Sequence, residues 1–178
     1  MSLKATIFKA TLQIADMNRH YYADNLLTIA RHPSENDERM MVRLLAFALQ
    51  ASDKLTFANG ITDNNEADIW QKDLTGAIVL WIDVGLPDEK LIRKACGRSQ
   101  QVYVYCYGGR VVDIWWEKVK SKLLPIANLR IINLALEGTQ AMALMAKRGM
   151  KLTYTIQDDE VIVSDETSSV EFRLLTCQ

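Results

Sequence analysis

Asp83 closes the run Ala77-Ile78-Val79-Leu80-Trp81-Ile82. A carboxylate at the end of so apolar a strand is costly unless it is paired, hydrated or bound to a cation. Two uses fit it. It can cap the coming turn, Val84-Gly85-Leu86-Pro87, or it can work with the acids across the preceding hairpin, Glu66 and Asp68. If Leu74-Thr75-Gly76-Ala77 is a four-residue loop, Asp68 lies directly opposite Asp83 and both side chains share a face. Two carboxylates so placed repel, and a hard cation that takes oxygen ligands from both relieves the repulsion. Strand side chains alternate with period two, so a one-residue slip in register would carry Asp68 to the opposite face.

Other residues that could do chemistry have plainer uses. Glu38 lies near the start of an expected helix, where a negative charge favours the helix dipole or pairs along the surface. Glu35 reads as a charge of the cap region. Lys90 and Lys94 stand four apart and share one face of the helix after Asp83, among Glu89 and Arg93 on a solvated charged surface. His20 and His32 are the only histidines, and their spacing fits no familiar metal motif. The three cysteines, Cys96, Cys106 and Cys177, form no C-x-x-C pair and read as buried free thiols. Sequences of the G-x-S-x-G, Walker A, G-x-G-x-x-G and H-E-x-x-H types are absent. Gly108-Gly109-Arg110 is a turn, and Tyr103, Tyr105, Tyr107, Trp115 and Trp116 read as core and sheet-face aromatics.

The elements that must position these residues follow from periodicity. Residues 3–17 alternate as a strand and 21–30 as its return, joined by Met17-Asn18-Arg19-His20. Pro33 stops the strand, and Ser34 with Asp37 resembles a capping box for a helix to about Gln50. Met41, Leu44, Leu45, Ala48 and Leu49 make that helix's buried face. Strands follow at 55–57, 66–72 and 77–84, the last apolar on both faces as a central strand should be. A helix opens at Pro87-Asp88 and runs to about Cys96. Then come a strand at 101–107, a helix at 111–121, a strand at 129–135, a helix at 139–148 closed by Gly149, and a meander of strands at 151–156, 160–164 and 169–175. The class is α/β, bordering on α+β.

Hydrophobic residues make up 49% of the 178 residues and charged residues 24%, which suits one folded domain over 1–178 with one sizeable core. The formal net charge is −1, so there is no global basic field, and any nucleic-acid site must rest on a local patch. No apolar run approaches the ~20 residues that cross a bilayer, and no apolar signal segment follows Met1, so no membrane partner and a cytoplasmic location are expected.

These residues resemble the YaeQ family of small bacterial proteins. The resemblance runs over nearly the whole chain. It rests on Leu3-Lys4-Ala5-Thr6-Ile7, Ala30-Arg31-His32-Pro33-Ser34-Glu35, Glu38-Arg39-Met40-Met41 and Leu80-Trp81-Ile82-Asp83-x-Gly85-Leu86-Pro87-Asp88-Glu89. Further matches are Ile114-Trp115-Trp116, Ala127-Asn128-Leu129 and Thr155-Ile156-Gln157-Asp158. It implies a variant of the PD-(D/E)xK nuclease fold, a restriction-endonuclease-like core of helix, three-strand meander, helix and strand. That is the order read over 34–107, with an additional sheet from about 3–30 and 129–175. On that resemblance Asp68 looks like the Asp of the PD element, Asp83 like the acid of (D/E)xK, and Glu38 like the first-helix acid. The sequence departs from the pattern twice. Gly85 stands where the lysine is expected, leaving Lys94, or less favourably Lys90, to reach the same space, and Ala67 stands where the proline is expected.

The activity so implied is metal-dependent phosphodiester hydrolysis on DNA or RNA. Asp68, Asp83 and the Val84 carbonyl would hold Mg²⁺ or Mn²⁺, with Glu38 bound directly or through water, and the metal would activate the attacking water. Lys94 would stabilise the developing charge. Loss of the expected lysine supports a second reading, in which the fold has shed catalysis and binds a protein or nucleic-acid partner. Convergence of Asp68, Asp83 and Lys94 in one open pocket would separate the two.

Overall fold

The computed structural model describes residues 4–178. Met1, Ser2 and Leu3, which include the expected start of the first strand and of the segment read for a signal peptide, lie outside the described residues. The fold is mixed α/β, and the chain divides into two compact units, Met1–Leu49 with Ala135–Leu174, and Gln50–Leu134 with Leu175–Gln178.

In the first unit β1 (Thr6–Asp16) and β2 (Tyr21–Arg31) pair antiparallel from Thr6↔Arg31 to Asp16↔Tyr21. The connection is built by Asp16, whose buried carboxylate accepts the Asn18 and Arg19 backbone N–H groups (3.0 and 3.1 Å) and Arg19 Nε (2.8 Å). α1 (Asp37–Leu49) follows. Its start differs from the expected capping box. Asn36 Oδ1 accepts the Arg39 N–H at 2.8 Å, while the Ser34 hydroxyl turns back to His32 Nδ1 at 2.7 Å. An Asx side chain one residue before the helix reaches the orphan donor that Ser34 is too far upstream to reach. Every residue from Met40 to Leu49 is buried, more than the single face read from periodicity. That includes Arg43, whose Nε and Nη2 clasp both oxygens of the buried Glu35 (2.8 and 2.5 Å), so Glu35 is a core ion-pair partner rather than a surface cap charge. Charge-assisted, two-pronged pairing is what makes such burial tolerable.

α4 (Leu136–Ala143) ends earlier than expected, with Leu144 at its C-cap, and Gly149 opens the next strand instead of closing the helix. β8 (Gly149–Gln157), β9 (Glu160–Ser164) and β10 (Ser169–Thr176) form the expected antiparallel meander, and β8 lies parallel to β1 from Lys9↔Gly149 to Asp16↔Ile156.

The second unit holds β3 (Thr56–Phe57), β4 (Ile69–Lys72), β5 (Ile78–Val84), β6 (Ser99–Cys106) and β7 (Leu129–Leu134). β3, β4 and β5 are antiparallel neighbours; β5, β6 and β7 are parallel. Parallel strands need crossovers, supplied by α2 (Glu89–Arg98) and α3 (Arg110–Leu123). β7 was read as part of an additional sheet, but it pairs with β6 from Val102↔Leu129 onward. β5 is central as its two-faced apolarity predicts. Beneath the helices lies a core of Trp81, Ile92, Ala95, Val102, Val104, Val112, Leu123 and Ile131. Among the described residues no helix is long and apolar enough to cross a membrane.

Candidate functional site

The β4–β5 ladder runs Ile69↔Ile82, Trp70↔Trp81 and Gln71↔Leu80, with a bulge only after Gln71. Strand periodicity therefore puts Asp68 and Trp70 on one face with Trp81 and Asp83. The turn is tighter than the expected four-residue loop, since the Asp73 N–H bonds the Ala77 carbonyl and Lys72 pairs with Ile78; the bulge shifts the ladder by one residue, and that shift brings Asp68 opposite Asp83. The Asp68 N–H donates both to the Ile82 carbonyl (3.1 Å) and to Asp83 Oδ1 (3.2 Å). In return Asp68 Oδ2 accepts the Val84 N–H at 2.9 Å. Asp83 Oδ2 accepts the Trp81 indole N–H at 2.8 Å. Asp68 is only 4% exposed, and Asp83 is half-buried. Asp83 thus works back along its own strand and across to β4.

Around this pair the aromatic face is braced by cations. Trp70 and Trp81 meet edge to face at 5.9 Å between centroids, Lys72 lies 3.9 Å from the Trp70 ring centre, and the Arg98 guanidinium lies 5.3 Å from that of Trp81. Such contacts contribute about 0.5–1 kcal/mol each at half-exposed positions.

Lys94, the lysine implied for the site, lies on α2. It is exposed, and its ammonium donates to Asn65 Oδ1 at 2.7 Å, while Arg98 donates to the Asn65 carbonyl at 2.9 Å. The end of α2 is thereby tied to the loop that leads into Asp68. Lys90 is exposed, and its backbone N–H is capped by Asp88 at 2.8 Å, as the Pro87-Asp88 start predicts. Glu89 is held below the usual carboxylate range, chiefly by its hydrogen bond with Lys122. Glu66 accepts the Asn59 N–H at 2.8 Å. Glu38, in the first unit, accepts the Thr139 hydroxyl at 3.2 Å, linking α1 to α4.

The first departure from the nuclease pattern has a local physical reason. Gly85 has φ +99°, a backbone state that side chains with a Cβ rarely adopt, and its N–H donates to the Tyr105 carbonyl at 2.9 Å. A lysine there would strain the chain. Ala67 is fully buried, and Gly60 packs so close that a Cβ on it would lie 2.6 Å from the Ala67 carbonyl carbon.

The ligand set implied for Mg²⁺ or Mn²⁺ was Asp68, Asp83 and Glu38. Asp68 Oδ2 and both oxygens of Asp83 accept N–H donors of the two strands, so a cation would compete with three existing hydrogen bonds. Among the described residues no three His, Cys, Asp or Glu side chains gather as a ligand group. As arranged, the residues do not fit the metal. The thiols are free, and burial raises all three, Cys96 to about 11 and Cys106 further.

Sequence reasoning missed Trp81 as the partner of Asp83 and Asn65 as the anchor of Lys94. The first was legible, because positions 81 and 83 share a face of one strand. The second depends on how the 58–68 loop folds back over α2, which no spacing reveals.

An α/β protein with a paired-acid strand hairpin is the class these features define. The family profile described as YaeQ protein matches residues 1–174, and the chain belongs to that family. It is 42% identical over 178 residues to the "Uncharacterized protein YaeQ" of Escherichia coli (strain K12), covering 100% of this chain and 98% of that one. It is 40% identical, with the same coverage, to the protein of that name from Salmonella typhi. The crystal structure of the YaeQ protein from Xanthomonas axonopodis pv. citri superposes with a TM-score of 0.95 at 46% identity, covering 98% of each chain. That from Pseudomonas syringae gives 0.93 at 31% identity, covering 98% of this chain and 96% of that one.

Proposed function

We propose that this protein is a binding module for nucleic acid or a protein partner, built on a nuclease-like frame that has given up hydrolysis. Two things support the frame. The chain order α1, β3–β4–β5, α2, β6 is the helix, meander, helix, strand order that the family resemblance implies, and the two acids of that pattern meet. One observation carries the loss of catalysis: the acid pair is engaged by N–H groups of its own hairpin, while the ammonium that would complete the site is bonded to Asn65. Oxygens already accepting from a backbone amide and an indole hold the hairpin end shut, a structural use of residues that a hydrolase would keep free for metal and water.

The test is an anisotropy titration on labelled single- and double-stranded DNA and RNA, run beside a denaturing-gel cleavage assay with Mg²⁺ or Mn²⁺. Wild type and Asp83→Ala are purified identically. Saturable binding to an oligonucleotide without cleavage fits the proposal, and absence of such binding shifts the partner to protein. Metal-dependent cutting that disappears in Asp83→Ala would establish a Mg²⁺- or Mn²⁺-dependent nuclease and overturn it. Equal cutting in both samples marks a contaminant.

A further inference from the structure

The first unit carries a second feature that the acid pair does not explain. A cavity of about 540 Å³ opens on the sheet where β1, β2 and β8 run side by side. That volume lies within the ~300–1,000 Å³ typical of small-molecule sites. Its floor follows from register. Lys9 lies opposite Thr28 on one side and Gly149 on the other, and Thr11 lies between Leu26 and Lys151. Neighbours across a ladder share a face, so Lys9, Lys151 and Leu26 reach the same side of the sheet around a glycine.

Gly149 leaves a hole in that floor: a Cβ built on it meets no atom within 4 Å. Met145 and Lys147, from the segment between α4 and β8, and Asp165 and Glu166, from the β9–β10 turn, complete the lining. Leu26 is 84% exposed, an unusual state for a leucine on an outward strand.

The charges favour one sign of ligand. Three lysines, Lys9, Lys147 and Lys151, face two acids. Among the described residues none of the three ammonium groups makes a hydrogen bond or an ion pair, so all are available to a ligand. Asp165 is already committed, since its Oδ1 accepts the Thr167 and Ser168 N–H groups at 2.9 and 2.8 Å. Asp165 and Glu166 both oppose an anion, and together they confine an anionic head to the lysine side of the cavity.

We propose that this cavity binds an organic anion with an apolar body, the carboxylate, sulfonate or phosphate head lying among Lys9, Lys147 and Lys151 and the body over Leu26, Met145 and the open floor at Gly149. The site is independent of the acid pair in the second unit.

The test uses 1-anilinonaphthalene-8-sulfonate, an anion with an aromatic body, and its uncharged counterpart N-phenyl-1-naphthylamine. Wild type should give saturable fluorescence enhancement with the sulfonate and bind the neutral dye at least about tenfold more weakly. Dodecanoate should displace the sulfonate. Replacing Lys9 and Lys151 together by alanine should weaken sulfonate binding about tenfold, since each exposed charge contact is worth up to about fivefold. Gly149→Leu, which fills the floor at a position without positive φ, should abolish it. Lys90→Ala, an exposed lysine of the other unit, should leave it unchanged. Equal affinity for the two dyes, or undiminished binding in folded Gly149→Leu, overturns the proposal. If circular dichroism shows Gly149→Leu unfolded, the double lysine variant decides, and undiminished binding there overturns it equally.

Discussion

Replacing Asp83 by alanine separates a structural clamp from a strained functional site, because the two respond with opposite sign. Alanine removes both acceptors that Asp83 supplies. The indole N–H of Trp81, a residue only 3% exposed, loses a charged acceptor at 2.8 Å. A hydrogen bond to a charged group contributes roughly 1.5–3 kcal/mol, and a buried donor left without a partner costs about as much. The Asp68 N–H also loses Asp83 Oδ1 but keeps the Ile82 carbonyl at 3.1 Å, so that loss adds little. Relief of repulsion between the two carboxylates works the other way. It is moderated by the N–H donors aimed at them, and Asp83 is half open to water. The net expectation is destabilisation by about 1–2 kcal/mol. For a chain of this size that lowers Tm by about 2–8 °C, and at m near 2 kcal/mol/M it lowers the urea midpoint by about 0.5–1 M. Urea melts followed by tryptophan fluorescence and by circular dichroism would read it. Asp83→Asn, which retains an acceptor for Trp81, should fall between wild type and alanine. An increase in stability in either variant would refute the clamp, because release on removing an acid is the mark of a site holding like charges together for function.

Three further outcomes follow from the same geometry. Gly85→Ala should cost about 1–2 kcal/mol through its positive φ alone, and Gly85→Lys should cost no less and gain no metal-dependent cleavage; paired melts and gel assays check both. Glu35→Ala removes both carboxylate oxygens from the buried Arg43 and should cost about 3–5 kcal/mol, read as loss of the cooperative melt at ordinary growth temperatures; a loss below about 1 kcal/mol would count against the pair as a core element. Asp165 is lowered from its ordinary 3.8 to about 2, chiefly by the Thr167 backbone N–H. Its contribution to the β9–β10 turn is therefore fully present above pH 3.8 and lost as pH falls through about 2, which a pH series of Thr167 and Ser168 amide shifts would follow; a midpoint near 3.8 would show that the turn does not hold the carboxylate.

Much of this was legible in the sequence because it is local. Alternation in 3–17 and 21–30 set the first hairpin, and Pro87-Asp88 set the start of α2. The register of the acids was not legible from the loop count, because the turn closes at Asp73–Ala77 and only the bulge between Gln71 and Lys72 aligns Asp68 with Asp83. Capping was less legible, since Ser34 and Asn36 are both good caps and only the packed chain chose between them. Glu35 looked like a charge of the cap region because nothing in periodicity says that α1 is buried on every side and brings Arg43 to it. The partner of Lys94 was not legible for a related reason: it is Asn65 of a loop whose path has no sequence signature.

The sequence by itself determined most of the elements and the family, since these depend on side-chain period and shared strings, while the pairing of the two acids also needed the bulge in the β4–β5 ladder. Only the tertiary structure shows which donors the acids meet. Asp83 meets the Trp81 indole two residues back on its own strand, but Asp68 meets the Val84 amide only because packing aligns β4 with β5 in the ladder. The same packing left an open floor at Gly149 between lysines that lie more than a hundred residues apart along the chain, a juxtaposition that no local pattern encodes.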